Sequence, residues 1–505
     1  MFKPTILYTL AILGLLTGCQ SSSETTNATV GDPVATEGEA LAKQYCGSCH
    51  LPVSPAMLDK TTWKNQVLPA MAPKLGLEVW QKTHYFRPAS ASISQTDWDK
   101  LRTYYETLAP DSLHPASDQT KSADDWAGFS LLKPGESTGN TATTTMVAFD
   151  PAQQQVYSSN ETDAGLYRWG RNLKPERLRT LPSPAVQARF INDNSKPERI
   201  ALTCIGTMLA VDQPAGQLIE LAPDQANDPT VLTQQLPRPI ESTPGDFNHD
   251  GLTDWLVCGF GHNMGGLYLL RQRPDHQFDK QVIRNVAGAT QVITGDFNRD
   301  GWLDCMALFA HADEGIWLFT NDQHGGFTER MVLRFPPVYG STSFQLIDMN
   351  RDGRLDIIYT AGDNSDYSRI LKPYHGIYIF LNDGHDQYKQ QTFLPLNGCT
   401  KAVAADFDKD GDLDIAAIAF FADLGPASPQ TFVYYEGQPA QTFRRHHLPI
   451  SQYGRWICMD VNDWDHDGNL DIALGNFSRG FLNSPAYKPT YDSYLPLIVL
   501  QNNAH

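Results

Sequence analysis

Five segments of this chain share the pattern D-x-[DN]-x-D-G-x-x-D, and nothing else in the sequence narrows the fold as far. They run Asp246 to Asp254, Asp296 to Asp304, Asp348 to Asp356, Asp406 to Asp414 and Asp463 to Asp471, with first aspartates 50, 52, 58 and 57 residues apart. A period of this length marks a repeat architecture, in which each unit buries its apolar face only against its neighbours. The pattern also has a chemistry. Oxygens at positions 1, 3 and 5 converge where the chain turns sharply, glycine at position 6 permits the turn, position 7 offers a carbonyl, and the last carboxylate closes a shell around a hard cation such as Ca²⁺. The candidate ligands are Asp246, Asn248, Asp250 and Asp254; Asp296, Asn298, Asp300 and Asp304; Asp348, Asn350, Asp352 and Asp356; Asp406, Asp408, Asp410 and Asp414; and Asp463, Asp465, Asp467 and Asp471. Up to five calcium ions are expected.

An EF-hand would close with Glu at position 12 between two helices, whereas here Asp at position 9 leads into strand-like runs such as Leu355-Asp-Ile-Ile-Tyr359. Short alternating segments at Gln291 to Thr294, Cys305 to Leu308, Ile316 to Phe319 and Glu329 to Leu333 give four strands per repeat, the content of a propeller blade. On these motifs the chain resembles the FG-GAP or VCBS repeat family, best known from the integrin α-subunit head, over about 380 residues. Two further blades lack the loop: one begins at Met146 to Asp150 with Gly165 to Trp169 as its third strand, the other pairs Ala188 to Asp193 with Ile200 to Cys204. The expected fold is therefore mainly β, a seven-bladed β-propeller over residues 126–505. The last repeat ends on its third strand, Leu495 to Leu500, so Phe129 to Leu132 is expected to return as its outer strand and remove the open edge.

With 39 Lys plus Arg against 57 Asp plus Glu, the formal charge of -18 repels phosphate backbones, which excludes nucleic acid as a natural partner. Much of that charge is site charge, because the five loops alone hold 18 aspartates. At the N-terminus, Lys3, the apolar stretch Ile6 to Leu16 and Leu16-Thr17-Gly18-Cys19 resemble a bacterial lipobox, and eleven residues are too few to span a bilayer. That resemblance implies a signal peptide over 1–18 and lipidation at Cys19. Gln20 after it implies, by analogy with proteobacterial sorting, the outer membrane. Residues 19–36, rich in Ser and Thr, read as a tether, so the body is expected in the cell envelope, held to the membrane by its lipid alone.

Cys46-Gly47-Ser48-Cys49-His50 is C-x-x-C-H, the spacing at which two thiols form thioethers with the haem vinyls and the next His binds the iron. One covalent haem c is expected, attached at Cys46 and Cys49 with His50 on the iron. Leu41 and Tyr45 ahead of the motif, and Trp98, Leu101, Tyr105 and Leu108 before Pro110, read as two helices, the second with a start signal at Thr96 and Asp99. Two terminal helices around a Pro-rich middle resemble a small class I cytochrome c, over residues 37–113, with a linker at 114–125. The other axial ligand comes from that middle. Met71 is expected, in a Val67 to Pro73 segment read as a stiff extended loop, with His84, Met57 and an open position as alternatives. Of the other cysteines, Cys204 and Cys258 hold equivalent places in successive repeats, which leaves open an inter-blade disulfide or buried thiols.

Up-and-down strands place the calcium loops on one face and the 2–3 and 4–1 connections on the other. There Tyr367, Tyr374, His375, Tyr453, Arg455, Trp456 and Arg479 suit stacking on a sugar or anchoring a peptide. The expected function is an envelope-anchored electron-transfer protein with the propeller as docking or ligand-recognition module for a redox partner, small molecule or carbohydrate. The alternative is an oxidoreductase, of quinone or sugar/alcohol dehydrogenase type, whose propeller binds substrate and passes electrons to the haem. No nucleophile or acid–base signature marks the chain as an enzyme.

Overall fold

The computed structural model describes residues 33–504, apart from 82–83, 87–89, 119, 136–138, 192–198, 312, 366–368, 386, 425–428 and 480–488. The signal segment and Cys19 lie outside the described residues, and among those described no helix is long and apolar enough to cross a membrane.

Among the described residues, the chain from Phe129 onward makes seven antiparallel four-stranded blades of the same order. The first strands are 144–149, 185–191, 239–245, 289–295, 341–347, 401–405 and 456–462, and each is followed outward by its second, third and outer strands. In the five loop-bearing blades the second strand begins with Asp and continues in mostly apolar residues, as in Asp304–Phe309, because every position in it is buried between two blades. Outer strands such as Phe327–Arg334 have no fully buried position and face solvent. The core is accordingly distributed. Each neighbouring pair of blades shares its own apolar cluster, for example Cys258, Leu269, Ala307 and Phe309 between blades three and four, and the series closes with Phe149, Trp169, Trp464 and Val499 between blades seven and one. The chain is a seven-bladed propeller.

Ring closure follows the sequence expectation. Phe129–Leu132 pairs antiparallel with Leu497–Asn502, with Phe129 opposite Asn502 and Leu132 opposite Val499. The approach to that strand was not anticipated: Lys121–Ala123 adds in parallel to the outer strand of blade six, Thr442–His446. Two polar clasps hold it, an ion pair between Asp118 and Arg445, and His446 between Asp125 (2.6 Å from Nδ1) and Glu436 (2.7 Å from Nε2).

Residues 33–111 form a separate helical unit. Its first helix, Pro33–Tyr45, begins inside the stretch read as tether. It crosses the last helix, Gln95–Leu108, so closely that a Cβ on Gly38 would sit 2.2 Å from Tyr104 Cβ. The last helix starts one residue before the expected threonine because Ser94 caps it, accepting from the Asp97 N–H at 3.0 Å. The middle is helical where an extended loop was expected. Asp59 caps a run from Lys60 to Leu75, and a wide π-type turn over Trp63–Val67 admits Pro69 without the clash a regular helix would impose. Met71 therefore ends a helical turn, and with Met57 and Cys46 it packs on the core of Trp63, Leu68, Leu101 and Tyr105.

Candidate functional site

The five acidic loops share one backbone. Position 4, occupied by His249, Arg299, Arg351, Lys409 and His466, is left-handed at φ 58 to 62°, and the glycine at position 6 at φ 80 to 98°. The position-6 glycine was legible, since few other residues take that conformation. In four loops the first aspartate accepts the N–H groups of positions 5 and 6, as Asp246 does from Asp250 (3.2 Å) and Gly251 (2.9 Å). The last aspartate is a buried keystone. In blade four, Asp304 accepts from Phe297 N–H at 3.1 Å with one oxygen and from Asn321 N–H at 2.8 Å with the other, which ties the loop to the third strand. Asp254, Asp356, Asp414 and Asp471 repeat this.

The loops differ in how far they are already satisfied. In blades three and four the position-5 carboxylate takes an amide from Asn248 or Asn298 at 2.9 Å, and in blade five Arg354 pairs with Asp352. In blades six and seven position 3 is Asp, and oxygens of Asp406, Asp408 and Asp414, and of Asp463, Asp465 and Asp471, lie within 4.8 Å of one another. Asp406 Oδ1 is buried without a hydrogen-bond partner. Burial raises Asp414 and Asp471 to about 6, and burial with neighbouring carboxylates raises Asp408. An orphaned oxygen among crowded carboxylates suits a hard cation.

In the helical unit, the first helix ends at Tyr45 and a tight turn carries Cys46, half-buried, and Cys49, exposed. Burial pushes the Cys46 thiol up. His50 Nδ1 lies 2.8 Å from the Leu51 carbonyl, an acceptor, so this nitrogen carries the proton and Nε2 keeps its lone pair for a metal. Cys46, Cys49, His50 and Met71 are thus a donor set that could hold a haem.

The residues expected to form an open ligand face do not form one. Trp456 is fully buried, as the first residue of its strand in the core between blades six and seven. Arg455 is buried with its guanidinium 3.6 Å from the Phe420 ring centroid. His375 is buried, and burial lowers its pKa well below the usual value. Tyr374 stacks on Tyr339 (5.0 Å, 10°) and donates to the Met57 carbonyl at 2.8 Å, so it joins the helical unit to the propeller, beside Val338 and Ile370, which pack on the helical core. Tyr453 is half-buried, with Lys133 Nζ 5.3 Å from its ring centroid, Arg479 is exposed, and Tyr367 lies outside the described residues. Arg455 and Trp456 turn inward because the start of their first strand packs against the neighbouring blade, and Tyr374 and His375 do so just ahead of the third strand Gly376–Asn382.

Sequence reading missed a cluster made by Arg238 and residues that follow the second strands of blades three to five. Phe260 lies edge-on to His311 at 4.4 Å, Arg238 is 5.2 Å from the Phe260 centroid, and His262 and Asp363 stand close by. Burial, with His262 and Arg238 nearby, lowers His311 to about 4. The signal was positional: these residues directly follow the second strand in consecutive repeats. The disulfide reading is not met, since Cys204 and Cys258 are free and belong to different inter-blade cores.

A family model described as FG-GAP-like repeat matches residues 246–307 and 296–359, and the propeller carries these repeats. Cartilage acidic protein 1 of Xenopus tropicalis is 28% identical over 141 residues, 26% of this chain and 20% of that protein. The chain thus spans about a fifth of that relative's length. Among solved structures, virginiamycin B lyase from Staphylococcus aureus is 10% identical with TM-score 0.46, covering 74% of this chain and 99% of that one. The N-terminal domain of Nup159 is 10% identical with TM-score 0.44, covering 77% and 100%. Likeness at this level carries no argument about activity.

Proposed function

We propose that the chain is an envelope-anchored c-type haem protein that passes electrons, with a calcium-stabilised propeller as the platform on which its haem domain is seated. The observation that carries this reading is the Cys46, Cys49, His50 motif on a small helical unit, with His50 Nδ1 committed to the Leu51 carbonyl. Cys46 and Cys49 would hold the group covalently, His50 Nε2 would bind its iron, and Met71 would be the second iron ligand. When bound, the haem supplies one-electron exchange at iron. Trp63, Leu68 and Tyr105 of the unit's core would keep water from it, and Tyr105 is fixed by donating to the Val53 carbonyl at 2.9 Å. Calcium in the loops of blades six and seven would remove carboxylate repulsion and fix the blade faces. Lipidation at Cys19 would attach the body to the membrane, the outer one by the Gln20 analogy.

The test is a reduced-minus-oxidised spectrum of the full chain made in a host that matures c-type cytochromes. A haem c spectrum is expected, and its loss in Cys46→Ser with Cys49→Ser. A colourless parent chain would refute the reading.

A further inference from the structure

Position 4 of the acidic loops is left-handed in all five loop-bearing blades, at φ 58 to 62°, a conformation that Gly or Asn would take at least cost. Neither occurs there. The position holds His249, Arg299, Arg351, Lys409 and His466, all basic and all exposed, in a chain with only 39 Lys plus Arg and 14 His among 505 residues. A strained backbone position that presents a base every time implies a role for the base. Three of these side chains reach the loop of the next blade. His249 stacks on Trp302, position 7 of the loop in blade four, with ring centroids 4.1 Å apart. A Cβ on Gly411, position 6 in blade six, would sit 3.3 Å from Arg351 Nη2, and one on Gly468, position 6 in blade seven, 3.5 Å from Lys409 Nζ. Arg299 does not reach its neighbour, since a Cβ on Gly353 of blade five would meet nothing within 4 Å.

The two permanent cations that do reach a neighbour stand where acid is in excess. The loops of blades three to five carry three carboxylates each, whereas blade seven carries four and blade six five, namely Asp406, Asp408, Asp410, Asp412 and Asp414. Arg351 and Lys409 thus serve the two most acidic loops. Neither closes a salt bridge among the described residues. Each lies over the glycine turn, between Asp410 and Asp412 in one loop and after Asp467 in the other, so its charge acts on the whole loop rather than on one oxygen.

We propose that Arg351 and Lys409 set the affinity of the cation sites in blades six and seven, each as a counter-charge supplied by the preceding blade. The inference rests on the calcium reading above. A resident positive charge relieves carboxylate repulsion while no ion is bound and repels a divalent ion that enters, so these loops bind less tightly than their carboxylates alone would make them. Position 4 stands between ligand positions 3 and 5 of its own loop. The turn that shapes one site therefore aims the counter-charge at the next, which accounts for a base held in a left-handed backbone.

The test is calorimetric titration of the full chain, freed of calcium by chelator, with calcium chloride at low and at high salt. Arg351→Gln and Lys409→Gln should each tighten calcium binding at one site about fivefold at low salt, and high salt should shrink the gain. Arg351→Lys, which keeps the charge, should bind as the parent does. Arg299→Gln removes the same charge from the same loop position but from a side chain that does not reach the next loop, and should change affinity little. In chelator, Arg351→Gln and Lys409→Gln should melt below the parent, and added calcium should raise their melting temperatures by more than it raises the parent's. Unchanged affinities, or an equal gain in all three charge-removing variants, would overturn the inference and leave the calcium reading intact. A parent chain that binds no calcium refutes both.

Discussion

Arg455 lies flat against the ring of Phe420 and donates from Nε to the Phe420 carbonyl at 2.9 Å, while Trp456 beside it is sealed between blades six and seven. Their loss should therefore be read in stability. Trp456→Ala is expected to cost about 3 to 5 kcal/mol, as for other buried aromatics, and denaturant titration checks it; a cost near zero would mean the side chain is not packed there. A second buried group sets a pH dependence. Burial raises the Glu314 carboxyl to about 8 from its ordinary 4.5, although it accepts from both the N–H (3.0 Å) and hydroxyl (2.5 Å) of Ser341. Between those values the folded chain holds a proton that the unfolded chain has released, so the contribution of Glu314 to stability is greatest below pH 4.5 and falls as pH rises to about 8. Glu314→Gln should flatten that decline when melting is followed from pH 5 to 8. An equal slope in parent and variant would assign the dependence to another group. At this scale the sequence conceals direction: Trp456 stands next to a loop and reads as surface, yet its place as first residue of a strand turns it into the core.

The loop and its second strand form the element in which most of the fold was readable. Aspartate followed by four or five apolar residues announces a strand buried on both sides, and the position-6 glycine announces the turn before it. The keystone bonds of the ninth residue were not readable, because they reach a third strand some twenty residues away, as Asp304 reaches Asn321. Nor was the helical stretch Lys60–Leu75, where two prolines suggested an extended loop and a π-type turn absorbs the first. Calcium removal is the natural test of the loops. Chelation should lower the melting temperature, since an ion bound only by the folded chain at a hundred times its dissociation constant adds about 2.7 kcal/mol. The loops of blades six and seven should hold calcium more tightly than those of blades three to five, so Asp408→Asn and Asp465→Asn should together remove most of the chelator effect. If they remove none of it, the Asn-bearing loops are the sites that matter.

The whole molecule is a ring closed by its own N-terminal approach, with a helical unit seated on the face opposite the acidic loops. Deleting residues 126–134 removes the strand opposite Leu497–Asn502 and the Phe129 ring between Phe407 and Tyr434, which should lower the melting temperature and promote association through the open edge. A monomeric deletion variant that melts like the parent would mean that the edge is protected elsewhere. Seven blades were legible from repeat spacing, but the parallel strand Lys121–Ala123 was not, since three mostly exposed residues carry no alternation. The account depends most on the haem proposed at Cys46, Cys49 and His50. Its most direct measurement is the pyridine haemochrome spectrum of the full chain after acid–acetone extraction, which strips non-covalent haem. The account predicts a retained α-band at the position of a two-thioether haem, in a ratio of one per chain, absent from the double Cys46→Ser, Cys49→Ser variant; loss of all haem from the parent on extraction would contradict it.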